Sequence, residues 1–321
     1  MRQTAGRLGA TLLLALVRQP MDARPQPAGL SSCAGQSGDD VDQLLADLAA
    51  NAEEYTRVYR DLTAEETKTT ELYRASGEVE GRRQVVSDLL LYRASRDGKD
   101  AVTEYRDVRS VDGKAIEHRG ERALTLLTKA AHAGSLEREL KAINEETRRY
   151  EFRHRHLQGV TLGYGVLPKE WRQDYQVEIT GHDQIAGRDV IVLAYRKTSP
   201  SRSRLPLPRE LRDVELRDRG RLWIDARTCQ IWRNVWELAV PHSDASALLV
   251  MIHFDRTFQP SRFGIMVPER LVFDWLDRFS HPKDGRPSFS LTERTTFTYG
   301  EFRRFGVTTD ENVRLPEARE R

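Results

Sequence analysis

The 321-residue sequence predicts an antiparallel α+β fold, and three observations carry that prediction. Runs rich in Val, Ile, Thr and aromatic residues recur along most of the chain, parted by Gly, Pro and Asp-Gly breaks, as strands and their turns require. Two stretches, over 40–60 and 119–150, instead repeat their apolar residues at helical spacing. At the middle of the chain, two runs rich in Trp, Ile and Val flank a polar break at 225–230, which predicts a β-hairpin over 220–238.

Length allows a sizeable core. Lys and Arg total 51 against 49 Asp and Glu, a net charge of +2. The arginines are scattered among acidic neighbours rather than gathered on one stripe, so no nucleic-acid partner is expected. No run approaches the ~20 apolar residues of a membrane-spanning helix.

Taken in order, residues 1–23 carry Arg2 and Arg7 ahead of a short apolar run over 8–17, which fits a secretory signal and an extracytoplasmic, periplasmic location. Leu30-Ser-Ser-Cys33 resembles a bacterial lipobox. Arg18, Asp22 and Arg24 interrupt the apolar segment before it, so lipidation of Cys33 is not expected. Residues 24–39, rich in Pro, Gly and Ser, are read as a linker, and 40–308 as one domain. Cys33 and Cys229 could bridge in an oxidising compartment, but Cys33 lies in this tail-like stretch and the pair is expected unbridged.

Val41, Leu44, Leu45, Leu48, Ala52, Tyr55 and Tyr59 give the first helix its apolar stripe. Three strands follow over 67–74, 83–93 and 101–111, separated by Gly77 and Gly81 and by the Asp97-Gly98 and Asp112-Gly113 turns. A helical pair is expected over 119–150. Strands at 176–180 and 190–196 flank Gly181 and Gly187. A charged insertion, loop or lid, is expected over 199–219, with Pro200, Pro206 and Pro208. In the central hairpin, Leu222 and Ile224 share a face. Trp232, Trp236, Leu238 and Val240 share another, away from Ile231, Arg233, Val235 and Glu237. Strands over 247–258, 265–279 and 288–302 complete the sheet, with Ile252 and Phe254 alternating against Met251 and His253. The tail over 309–321 is expected to be mobile.

Catalytic patterns are absent from the sequence: no Walker loop, no Gly-x-Gly-x-x-Gly, no His-Glu-x-x-His and no Gly-x-Ser-x-Gly. His154 and His156 would share a strand face, but flanking arginines oppose a metal cation and no third ligand follows. Asp225 is expected to close its turn through its own side chain rather than act as a catalytic carboxylate. A non-enzymatic protein without metal or cofactor is therefore expected.

Gly220-Arg-Leu-Trp-Ile-Asp225 followed by Thr228, Ile231 and Arg233 resembles the hairpin of the LolA/LppX-like family of periplasmic lipoprotein- and lipid-binding proteins. The stretch from Ile179 to Arg188, leading into Val190 to Leu193, resembles the hairpin before it, and Phe297 to Phe305 the closing strand. The resemblance implies a strongly curved, incomplete antiparallel β-barrel, a half-barrel, with helices packed on its concave side. It also implies a partner: acyl chains of a lipid or lipoprotein, held in a cavity between sheet and helices. Trp232, Trp236, Ile252, Phe254, Phe273 and Trp275 are the candidate lining residues, and each methylene buried there would contribute about 0.8 kcal/mol. The alternative is a filled core on the same fold, in an interaction or sensor module that contacts another envelope protein.

Overall fold

Burial that alternates residue by residue marks several of the strands of the computed structural model, which describes residues 33, 40–59, 62–96, 99–117, 145, 148–150, 173–198, 215–241, 248–276, 278–280 and 288–304. After helix α1 (Val41–Tyr59) come strands β1 (Leu62–Tyr73), β2 (Val79–Arg96), β3 (Lys99–Val111) and β4 (Lys114–Ala115). The second series is β5 (Tyr175–Ile185), β6 (Arg188–Lys197), β7 (Arg217–Asp225), β8 (Ile231–Pro241), β9 (Leu248–Pro260) and β10 (Met266–Trp275). Last are β11 (Arg278–Ser280), β12 (Ser288–Ser290), β13 (Glu293–Tyr299) and β14 (Arg303–Arg304).

One twelve-stranded sheet dominates, in the order β4-β3-β2-β1-β13-β10-β9-β8-β7-β6-β5, with β14 beside β1; β11 and β12 pair separately. Two meanders thus meet at β1 and β13, whose antiparallel register sets Lys68 opposite Phe297. The order ends at β4 and β5 without closing, so this is an open antiparallel sheet with a helix against one face, the architecture that the resemblance implies. The expected signal segment, the helical pair over 119–150 apart from a few residues at its end, His154, His156, most of the 199–219 insertion and the tail lie outside the described residues. The strand β7 begins at Arg217, within the last part of that insertion.

Helix α1 starts where Asp40 Oδ1 accepts the backbone N–H of Gln43 at 3.0 Å, an N-cap. Leu44, Leu48, Tyr55 and Tyr59 bury its apolar stripe in the same core as Leu62, Leu193, Ile224 and Phe297. Polar anchors fix its path. Asn51 Nδ2 donates to Cys229 O at 3.1 Å, Tyr55 OH to Gln230 Oε1 at 3.1 Å, and Tyr59 OH to Met266 O at 3.0 Å. The helix therefore crosses the sheet over the β7–β8 turn and the start of β10.

Cys33 and Cys229 form a disulfide with their Cα atoms 5.2 Å apart, contrary to the expected unbridged pair. The backbone N–H of Cys33 also donates to Arg227 O at 3.1 Å, so this residue of the tail-like stretch is tied to the central hairpin and buried there. A sulfur held in that bond is not free to carry a lipid.

Two bulges change the expected faces. Ile224 pairs with Ile231 and Trp223 with Arg233, so Trp232 is the extra residue and Ile231 turns into the core with Ile224. Leu238 pairs with Ile252 and Ala239 with Val250, so Met251 is extra and also buried. A bulge inverts the phase of the pleat beyond it, which strict alternation cannot foresee. Gly220 has a local reason. A Cβ there would run into the hydroxyl end of Tyr195 and lie 2.6 Å from Val235 O, so the tyrosine ring occupies the space a side chain would need.

Candidate functional site

The hairpin turn beneath α1 is built by Asp225. Its Oδ1 accepts the backbone N–H groups of Arg227 at 3.0 Å and Thr228 at 2.8 Å, the turn-closing role expected from the sequence. Burial raises its pKa, but those two N–H donors and the Arg188 guanidinium, 3.4 Å away, outweigh burial and hold the carboxyl below its ordinary range. It is a fixed anion in a turn.

Five of the six candidate lining residues come together on β8, β9 and β10. Trp236, Phe254 and Phe273 lie opposite one another across the three strands, and Leu238, Ile252 and Trp275 form the adjacent row. Phe254 and Phe273 meet edge to face with centroids 6.2 Å apart, and Phe273 and Trp275 are 5.4 Å apart. Trp232 stands apart, at the bulge by the hairpin turn, with the Arg188 guanidinium 5.7 Å from its ring. Five of the six are buried and Trp236 is part-buried. Among the described residues the exposed large hydrophobics are Val79 and Leu248.

The aromatic rows end at a polar corner. Trp236 Nε1 donates to Asp218 Oδ1 at 2.6 Å, and Tyr175 OH to Asp218 Oδ2 at 2.9 Å. Burial raises the Asp218 pKa, opposed by those two donors. Buried Tyr195 stays protonated, because burial and the nearby Asp218 carboxylate both push its pKa up.

The same face holds charges that were not singled out in the sequence. Arg106 Nε donates to Glu66 Oε1 at 2.6 Å, and its Nη2 to Glu66 Oε2 at 2.9 Å and Glu104 Oε2 at 2.6 Å, with all three residues buried. Arg256 is fully buried, its guanidinium 4.9 Å from the Phe254 ring and 5.7 Å from Phe258. A signal existed. On β1 the buried set is Leu62, Ala64, Glu66, Lys68, Thr70 and Leu72, so strict alternation already assigns an acid and a base to the inner face.

The opposite face carries an ionic row. Across seven strands Arg219, Glu237, His253, Asp274, Arg294, Glu71 and Arg82 lie opposite one another. Arg219 reaches Glu237 at 2.7 Å and Arg294 reaches Asp274 at 2.7 Å. His253 has Nδ1 3.4 Å from Glu237 Oε1. That contact raises the His253 pKa against the opposing effect of burial, with Asp274 and Asp255 adding to it. Glu237 is pushed down to about 2, chiefly by His253, with burial opposing and Arg219 assisting.

The sign for His253 follows from a folded-state pKa above the ordinary 6.5. Its contribution to stability is fully present below that value and fades as pH rises through the higher one. Urea midpoints of the native protein should therefore fall more steeply than those of His253→Gln as pH rises above the ordinary histidine value and through the raised one. Parallel profiles would show that the pair contributes nothing.

No cluster of three or more potential metal ligands occurs among the described residues. No helix among them is long and apolar enough to cross a membrane. No protein-family model and no curated protein matches the chain. Solved structures do. The chain is similar to a DUF1329 family protein from Desulfovibrio piger, at 12% identity and a TM-score of 0.36, over 83% of this chain and 93% of that one. It is similar to a putative outer membrane lipoprotein-sorting protein domain from Vibrio parahaemolyticus, at 11% identity and a TM-score of 0.32, over 80% and 91%. It is also similar to a LolA superfamily protein from Nitrosomonas europaea, at 11% identity and a TM-score of 0.30, over 82% and 94%. These likenesses assign no residue of this chain a role.

Proposed function

We propose that this protein is an extracytoplasmic, non-enzymatic binding protein that shelters the acyl chains of a lipid or lipoprotein against the inner face of its open sheet. The observation that carries this reading is the pair of contiguous rows formed by Trp236, Phe254 and Phe273 and by Leu238, Ile252 and Trp275. The polar anchors of α1 support it by their place. They hold Cys229, Gln230 and Met266, whereas Trp275 lies nine residues further along β10, roughly 30 Å at ~3.3 Å per residue. A chain can seat at the aromatic end while α1 stays anchored at the other. The Cys33–Cys229 bridge supports an oxidising compartment.

A second reading keeps these side chains as a filled core in an envelope interaction module. The deep burial of Ile252, Phe273 and Trp275 favours it. One experiment separates the two. Brominated acyl chains quench tryptophan on contact, so titration with a brominated phospholipid should quench the native protein saturably, and the Trp236→Phe/Trp275→Phe variant much less. Native mass spectrometry of the protein from a bacterial periplasm should show the lipid that co-purifies. A clean apo mass with no quenching at any lipid concentration would favour the filled core. Equal quenching in the variant would move the site elsewhere.

A further inference from the structure

The sheet face opposite α1 holds a groove of about 540 Å³ across β5, β6, β7 and β8. Register explains its shape. Glu178, Ala194, Arg221 and Val235 lie opposite one another on the four strands. On one side runs the row of Gln176, Arg196, Arg219 and Glu237, and on the other stand Trp223 and Arg233. Side chains two residues apart on a strand are spaced ~6.6 Å, so long side chains stand about 13 Å apart across a floor whose Ala194 and Val235 are short. The depression follows the middle row.

Four arginines and two glutamates line it. Two of the arginines are balanced. Arg219 bonds Glu237 at 2.7 Å, while Arg233 bonds Asp255 at 2.7 and 2.9 Å and lies over the Trp223 ring at 4.8 Å. Among the described residues the other two are not. Arg196 donates its Nε to the neutral Gln176 Oε1 at 2.9 Å, and exposed Arg221 makes no ion pair among the described residues. Arg196 pairs with Arg219, so Arg221 is its diagonal neighbour on β7, about 7–8 Å away and somewhat less between Cβ atoms. Two guanidinium forks at that separation can close on one anion from both sides. Glu178 is the carboxylate at the groove's outer end that such a ligand must avoid.

We propose that this groove is an anion-binding site, in which Arg221 and Arg196 hold a phosphate or carboxylate group over the floor of Ala194 and Val235. It shares no residue with the aromatic rows, so it stands or falls independently of acyl-chain binding.

The test uses the full chain and two probes: pyrophosphate followed by calorimetry, and sedimentation with vesicles of phosphatidylglycerol against phosphatidylcholine. Saturable pyrophosphate binding that weakens with added salt is expected, and about a tenfold loss in each of Arg221→Gln and Arg196→Gln. Arg270→Gln, an exposed arginine on the same face outside the groove, should bind as the native protein does. Binding to phosphatidylglycerol vesicles with the same dependence on Arg221 and Arg196, and none to pyrophosphate, would place the anion on a lipid headgroup. No binding of either probe overturns the site. So does a loss as large in Arg270→Gln as in Arg221→Gln, which would mark a general surface charge effect. Circular dichroism of the three exposed-site variants reports folding alongside.

Discussion

Replacing Arg106 with methionine is expected to destabilise the protein by about 3–5 kcal/mol, read as a lower urea midpoint at unchanged slope. Arg106 lies on β3 with its guanidinium bidentate on Glu66 of β1 and a third bond to Glu104. Burial alone would lower its pKa, but the two carboxylates outweigh burial and drive it well above the ordinary arginine value, so it stays charged. Removing it leaves two carboxylates that share one buried site with no cation between them. Each then faces the desolvation cost without the Coulombic return. The interaction is collective, and a combined variant exposes this. Adding Glu66→Gln and Glu104→Gln to Arg106→Met removes the stranded charges and should recover part of the loss, so the three changes will not sum. A cost below about 1 kcal/mol for Arg106→Met alone would mean that the cluster is solvated rather than buried.

That cluster also marks the limit of what the sequence disclosed. Among the described residues the order of elements was legible: α1 from its apolar stripe, the strands from their β-formers and the Asp112-Gly113 turn, and the central hairpin from three tryptophans around a polar break. Asp225 was legible in its role, because an aspartate followed by an Arg-Thr turn has its own backbone as nearest donor. The rows of Trp236, Phe254 and Phe273 and of Ile252 and Trp275 were legible as one face, since alternation holds along each strand between bulges. What was hidden depends on contacts between distant residues. The phase reversals at Trp232 and Met251 come from bulges, which pairing rather than composition decides. His253 acquires its partner only because β8 and β9 place it opposite Glu237. The inner-face charges were visible as a pattern on β1 but have meaning only once Arg106, forty residues from Glu66, is brought beside it.

Breaking the Cys33–Cys229 bridge is the second change with a large expected effect, about 2–5 kcal/mol on reduction or in Cys33→Ser. The bond closes a loop spanning 196 residues, and in the chain-entropy description a loop of that length restricts the unfolded chain by about 5 kcal/mol. Its position adds a local effect. Cys229 occupies a left-handed turn with φ of 51°, and its carbonyl accepts the Asn51 Nδ2 donor of α1, while the next residue, Gln230, accepts the Tyr55 hydroxyl. One turn therefore carries the bridge and two of the three polar anchors of the helix. Opening the bridge should loosen α1 before the sheet, so amide exchange should rise over 41–59 while the central strands stay protected. Cys33→Ser and Asn51→Ala share this turn, and their combined cost should differ from the sum of the two by more than about 0.5 kcal/mol. Urea unfolding with and without reductant, set against Cys33→Ser, measures all of this. Identical midpoints in the oxidised and reduced protein would show that the bridge constrains neither the unfolded chain nor the helix, and would leave α1 held by its side chains alone.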